Sequence, residues 1–205
     1  MNAGPNRWRR RFLILLCCWI GCTVLFSLSE VRGLFIVPLT VHDSDARGEI
    51  AYVMADGAAY WERIHAASDL YHQKRIQRIY LLEENKRGHW NYVRQASDTP
   101  LLRAIDHLKM YGVPESVVST VPQNEGWLGS RSEAVGLSQL PEQFSKIVVV
   151  TSPPHTRRSR MVFRRVFGDR AQIQIYSAAE PSQSVETFAP IWMEYAKLVV
   201  YWLIA

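Results

Sequence analysis

The sequence predicts an α/β protein: a Rossmann-like three-layer α/β/α domain with a mostly parallel sheet of about five strands, preceded by one N-terminal transmembrane helix. Three observations predict it. From residue 49 onward, short apolar runs alternate with segments of helical spacing. The runs Glu49–Ala55 (EIAYVMA) and Lys146–Thr151 (KIVVVT) are apolar throughout rather than alternating, as strands covered on both faces are. Residues 12–29, FLILLCCWIGCTVLFSLS, carry no charge at all.

The basic tail, residues 1–11, holds Arg7, Arg9, Arg10 and Arg11. Arginines on this flank keep it in the cytoplasm, so the rest of a single-pass protein lies on the extracytoplasmic, periplasmic side of the cytoplasmic membrane. The anchor, residues 12–29, is near the short end of what spans a bilayer. Two alternatives stay open. Ser27 and Ser29 are small enough for a signal-peptide cleavage site, and Cys22 after Gly21 suits a lipoprotein, although Trp19 stands where a leucine is expected. Residues 30–44 are expected to be a linker, and residues 45–205 the α/β domain.

Net charge is +5, but much of the excess is in the tail, which argues against a nucleic-acid face on the domain. Cys17, Cys18 and Cys22 all lie in the apolar run. The domain therefore has no disulfide, thiol nucleophile or cysteine-ligated zinc, and folds on its hydrophobic core.

Within the domain, Glu49–Ala55 is the first strand, ended by Asp56-Gly57. Residues 58–72 follow as a helix, with Tyr60, Ile64, Ala67 and Tyr71 on one stripe. Residues 75–82 form the second strand, and the polar stretch 83–99 is expected as a loop. Residues 100–111 form a helix stopped by Gly112 and Pro114. A strand over 116–121, a loop over 122–129 and a helix over 131–140 come next. Then follow the strand Lys146–Thr151, a helix over 153–167, a last strand over 172–176 and a terminal helix over 190–205. That terminal helix is apolar almost all round, yet at about fifteen residues it is short for a span. Packing on the sheet is one reading, and an interfacial position for Trp192, Tyr201 and Trp202 is the other.

Open parallel sheets bind ligands beyond the carboxyl ends of their strands. The stretch VVVTSPPHTRRSRMVFRRVFG, residues 148–168, crosses such an end. Ser152 is placed to cap the next helix and Pro153 to open it. His155 then falls in the first turn, where free N–H groups favour an anion, and Arg158 lies three residues on along the same face. The pair suits a phosphate or carboxylate. A basic surface helix with an incidental histidine has the same spacing. Ser130 and Glu133 have capping-box spacing, Glu194 and Lys197 have that of an i,i+3 pair, and Asp56 and Arg63 also have ordinary helical explanations. The remaining histidines show no metal-ligand spacing. No P-loop, dinucleotide fingerprint or nucleophile elbow is present, and no cofactor or metal is implied.

TSPPHTRRSRMVFRRVFG resembles the signature of the YdcF/SanA/ElyC-like family, a bacterial domain of unknown function, through Thr151, Ser152, His155 and Arg158. GSRSEA at 129–134 resembles that family's second box through Ser130, Arg131, Glu133 and Ala134, with Ser132 in place of an acidic residue. Arg63, the GVP at 112–114 and EYAKLVVYW near the end also match, so the resemblance covers roughly residues 45–205. Two turns depart from it. The first strand ends ADG and the second LLEEN, where the family has glycine-rich turns, so Asp56 and Glu83 bring acid to that rim.

The resemblance implies a membrane-tethered protein of cell-wall or envelope biogenesis. An enzyme would act on a phosphate-bearing envelope substrate, a lipid-linked precursor being one candidate. His155 and Asp56 would be the acid–base groups, and Arg63, Ser130, Arg131, Glu133, Thr151, Ser152 and Arg158 the anion-binding set. A non-catalytic module holding a nucleotide-like or precursor ligand is the alternative. A structural protein using the 83–99 stretch as a contact surface is a third.

Overall fold

In a computed structural model, residues 5–204 are described apart from 56, 87, 125 and 127. The chain is an α/β protein with five parallel strands in one sheet, flanked by helices, and one N-terminal apolar helix. That helix, α1 (Pro5–Ser27), is about 34 Å long at 1.5 Å per residue. Its stretch Arg7–Ser27 is long and apolar enough to cross a membrane, and none of it is buried.

Residues 30–44, expected as a linker, are largely ordered structure. After the single residue Leu28 comes α2 (Ser29–Ile36), then a 3₁₀ turn Val37–Leu39 opened by Pro38. Ile36 and Leu39 are fully buried. Arg32 donates from Nε to Thr187 O (2.7 Å) and from Nη2 to Ala189 O (3.0 Å), which pins α2 to the chain just before the terminal helix.

The strands are β1 (Ile50–Val53), β2 (Arg78–Glu83), β5 (Val118–Pro122), β6 (Lys146–Thr151) and β7 (Gln172–Ser177), with β3 (His89–Asn91) and β4 (Ala96–Asp98) forming a separate antiparallel hairpin. The sheet runs β5-β2-β1-β6-β7. In β1, Ala51 pairs with Ile79 of β2 and Val148 of β6. Alternate residues of each strand feed opposite cores. Ala51, Val53, Ile79, Leu81, Val148 and Val150 meet α3 (Tyr60–His72) and α4 (Pro100–Met110) on one face. Tyr52, Tyr80, Ile147, Val149, Ile173 and Ile175 meet α5 (Gly129–Ser138) and α6 (Thr156–Phe167) on the other. The reason is topological. The chain winds outward from β1 in one direction, returns to β6 and winds the other way, and right-handed crossovers then put the two helix pairs on opposite faces. The final helix, α7 (Ile191–Ile204), contacts α6.

The hairpin occupies the stretch expected as a loop. Its turn is built from side chains: Asn91 Oδ1 accepts from the N–H groups of Val93 and Arg94, and Gln95 takes φ 52°. Arg94 spans Asp98 (3.0 Å) and Asp106 (2.7 Å). Three-residue strands with this polar content leave no alternating apolar pattern to read.

Candidate functional site

The sheet's order reverses between β1 and β6, and there a cavity of about 590 Å³ opens. Its floor comes from Met54 and Ala55 after β1, Thr151 at the end of β6, and Ser130 and Glu133 of α5. Arg63, His155 and Arg158 line it beside α7, which supplies Trp192, Met193, Ala196, Lys197, Val200 and Tyr201.

His155 sits at the start of α6, but not as expected. A 3₁₀ turn, Pro153–His155, precedes the helix, and His155 is its N-cap residue. Ser152 does not cap: its hydroxyl accepts from Arg63 Nε at 2.8 Å. Thr156 instead ties the turn down, donating to Pro153 O (2.9 Å) and accepting from Val41 N (2.8 Å).

The anion beside His155 is part of the protein. His155 Nε2 lies 2.5 Å from Glu186 Oε2, and Nδ1 lies 2.8 Å from Glu194 Oε2. Arg158 Nη2 is 3.2 Å from that Glu194 oxygen, and Lys197 Nζ is 2.6 Å from the other. The two carboxylates lie on opposite ring nitrogens and do not converge as metal ligands would; no group of metal-ligating residues occurs among the described residues. Burial pushes Glu186 up, but the His155 contact and Arg63 outweigh it and hold the carboxyl down at about 2. Glu194 is likewise raised by burial and lowered further by His155, Arg158 and Lys197, with a net shift below the usual carboxylate range.

Arg63 is 2 % exposed. Its Nε bonds Ser152, Nη1 bonds Met54 O (2.9 Å) and Ala55 O (3.0 Å), and Nη2 bonds Glu186 Oε1 (2.7 Å). It is a strut that locks the ends of β1 and β6 to Glu186, not an open anion donor, because its donors already meet protein acceptors. Glycine at position 57 makes room for this. Its φ is +97°, and a Cβ there would collide with Glu186 Oε1.

Arg158 is the more available cation. Nη1 bonds Ser130 Oγ, the guanidinium lies over the Tyr201 ring at 5.1 Å, and Nε, though buried, has no hydrogen-bond partner among the described residues. Thr151 Oγ1 is buried in the same unpartnered state. Ser130 and Glu133 form no capping box: Glu133 Oε2 accepts from the Tyr52 hydroxyl (2.9 Å) and from Ala55 N (2.9 Å). Burial raises the Glu133 carboxyl to about 7, against the lowering effect of those two bonds and of Arg63.

The structure thus gathers His155, Arg63, Ser130, Glu133, Thr151, Ser152 and Arg158 around one cavity. Arg131 is exposed and does not line it, because its place on α5 points it off the sheet. Asp56, the second expected acid–base group, lies outside the described residues. Glu186 was not legible. It comes from a 3₁₀ turn, Val185–Phe188, positioned by Ser184, which accepts from Glu186 N, and by Glu62, which accepts from Ser184 Oγ and Val185 N at 2.9 Å each. Nothing in SVETF marks a buried acid. Glu194 and Lys197 carried a signal in their i,i+3 spacing, but not the histidine between the two acids. No family model matches the chain, and no curated protein matches it.

Proposed function

We propose that this is a membrane-anchored envelope protein of the YdcF/SanA/ElyC-like kind, with its N-terminus in the cytoplasm and its α/β domain outside. It would act in cell-wall or envelope biogenesis on a phosphate-bearing, lipid-linked substrate. One observation carries the reading: a cavity at the sheet's switch point joins the cationic side chains of Arg63, Arg158 and Lys197 to an apolar wall. Arg158, Lys197 and Arg63 face the two carboxylates of Glu186 and Glu194, while Glu133 keeps its proton below about pH 7, so positive charge remains for a visitor. The unpartnered Arg158 Nε and Thr151 Oγ1 are donors for phosphate oxygens. Trp192, Met193 and Val200 suit a prenyl or acyl chain. The apolar α1 and the likeness of the His155 and Ser130 boxes support the same reading.

The chemistry would be cleavage or transfer at phosphorus. Arg158 and Lys197 hold the phosphate, and His155 donates a proton to the leaving oxygen as its bond to phosphorus breaks. Above about pH 7, where Glu133 is ionised, it takes the proton of the attacking water or hydroxyl as the new P–O bond forms. Arg63 fixes Glu186, which orients the imidazole.

A non-catalytic binding module is the second reading. The observation that favours it is the engagement of both His155 nitrogens by carboxylates. Full-length protein in micelles, incubated with a polyprenyl phosphate or diphosphate, separates the two. Arg158→Ala should weaken the affinity read from ligand-induced stabilisation about 10- to 100-fold in either case, the value of a charge-assisted hydrogen bond. His155→Ala should retain binding and lower phosphate release by about 10²–10⁴-fold if His155 is the acid. Wild-type turnover in His155→Ala sinks the catalytic role. Absence of any thermal shift with phosphate compounds sinks both readings.

A further inference from the structure

The terminal helix has two sides with different tasks. α7 has fourteen residues, of which only Glu194 and Tyr201 are buried. Yet it is apolar nearly all round. Tyr195, Val199 and Trp202 follow one another at helical spacing along a single outward stripe and are 38, 58 and 64 % exposed, while Trp192, 72 % exposed, sits where that stripe meets the cavity rim. A stripe of that kind facing water is an exposed apolar patch without a purpose in the fold.

Its neighbours say what covers it. α2 follows α1 after one residue, and it docks on the chain leading into α7. Tyr195 Oη donates to Phe35 O at 2.8 Å, and Arg32 lies over the Phe188 ring at 5.2 Å. Leu34 and Phe35 of α2 are 71 and 48 % exposed beside these contacts. The stripe is therefore continuous with the only element long and apolar enough to cross a membrane among the described residues. Its tryptophans and tyrosine are the side chains that favour the headgroup boundary. The end of α7 is also prepared for an apolar setting: Arg165 donates to Tyr201 O (2.9 Å) and Trp202 O (3.0 Å), carbonyls that the helix itself leaves open. At fourteen residues, α7 is too short to span.

We propose that α7 lies in the bilayer–water interface, as a second contact with the membrane that α1 crosses. Its inner side, with Met193, Ala196, Lys197 and Val200, still forms a wall of the cavity. The cavity then opens at headgroup level, and a lipid-linked phosphate enters without leaving the bilayer. This last consequence rests on the functional reading above; the placement of α7 does not.

The test uses the full chain with Cys17, Cys18 and Cys22 changed to serine, one chain per nanodisc. A single nitroxide is placed through Val199→Cys or Trp202→Cys, with Met110→Cys on α4 as the reference for water, since Met110 is 78 % exposed. Collision with molecular oxygen is compared with collision with a water-soluble nickel chelate. At 199 and 202 the oxygen-to-nickel ratio should exceed that at 110 several-fold. An equal ratio overturns the proposal. Protection from both reagents at 199 and 202, or broadening between labels in a companion preparation with two chains per disc, means that protein covers the stripe, and also overturns it. Val199→Cys alone decides the matter if Trp202→Cys fails to fold. No ligand is involved, so failure here is separate from failure of the phosphate reading.

Discussion

Glu133 should make the domain lose stability as pH rises through neutrality. Its carboxyl is buried and its folded value is about 7, against 4.5 for an unperturbed glutamate. The folded state therefore binds a proton more tightly than the unfolded state does. The contribution is fully present below pH 4.5 and is lost as pH climbs to and past about 7. At about 1.4 kcal/mol per pH unit, this shift amounts to roughly 3 kcal/mol. Glu186 works in the opposite direction. Its folded value of about 2 gives stability that is present above 4.5 and lost as pH falls toward 2. The two together place a stability maximum near pH 5. Glu133→Gln isolates the first effect, since its amide oxygen can still accept from Tyr52 and Ala55 while carrying no charge at any pH. Denaturant unfolding of full-length protein in micelles, from pH 5 to pH 8, should show wild type losing about 2–3 kcal/mol more than the variant. The subtraction cancels every other titrating group, the histidines included. Parallel pH curves for the two proteins would mean that Glu133 is an ordinary ionised carboxylate, and the reasoning would be wrong.

Two further changes report on the strut beneath the site. Arg63→Ala leaves Glu186 buried without its main partner and should destabilise by about 3–5 kcal/mol in the same assay, with Arg63→Lys recovering only a minor part because an ammonium cannot reproduce the three-sided fork. Gly57→Ala should cost about 1–3 kcal/mol, since it combines a left-handed backbone with a methyl pressed onto Glu186; its ligand-free unfolding midpoint in denaturant should drop accordingly.

Much of the architecture could be read from residues alone, because the signals were local. KIVVVT announces a strand buried on both faces and is one, residue for residue, at Lys146–Thr151. The helical stripe Tyr60, Ile64, Ala67 predicts α3, and the helix expected from residue 100 is α4, which starts at Pro100 with the Thr99 hydroxyl accepting from Leu102 N. The uncharged run 12–29 gives α1, although the helix begins earlier, at Pro5, because the arginines are good helix formers. What escaped was set by contacts distant in sequence. α2 is too short for a clear period, and it is held by Arg32 bonding the chain 155 residues later. Ser152 and Ser130 look like caps by spacing, yet each accepts from a buried arginine, Arg63 and Arg158 respectively. The structure brings Arg63, His155 and Arg158 together at the expected notch, but the acids beside them carry no sequence signal, since Glu186 lies 123 residues from Arg63 and no spacing rule connects them.

That distance has a consequence for how the molecule comes to exist. Glu186 and Glu194 both lie downstream of every strand, so the five-stranded layer can assemble while Arg63 and Arg158 still lack their counter-charges. Until the last segment settles, the folding domain holds two guanidinium groups without their carboxylate partners. Shape and charge are therefore completed at different moments, and a quality-control protease able to clip residues 180–195 would meet its best target in that interval.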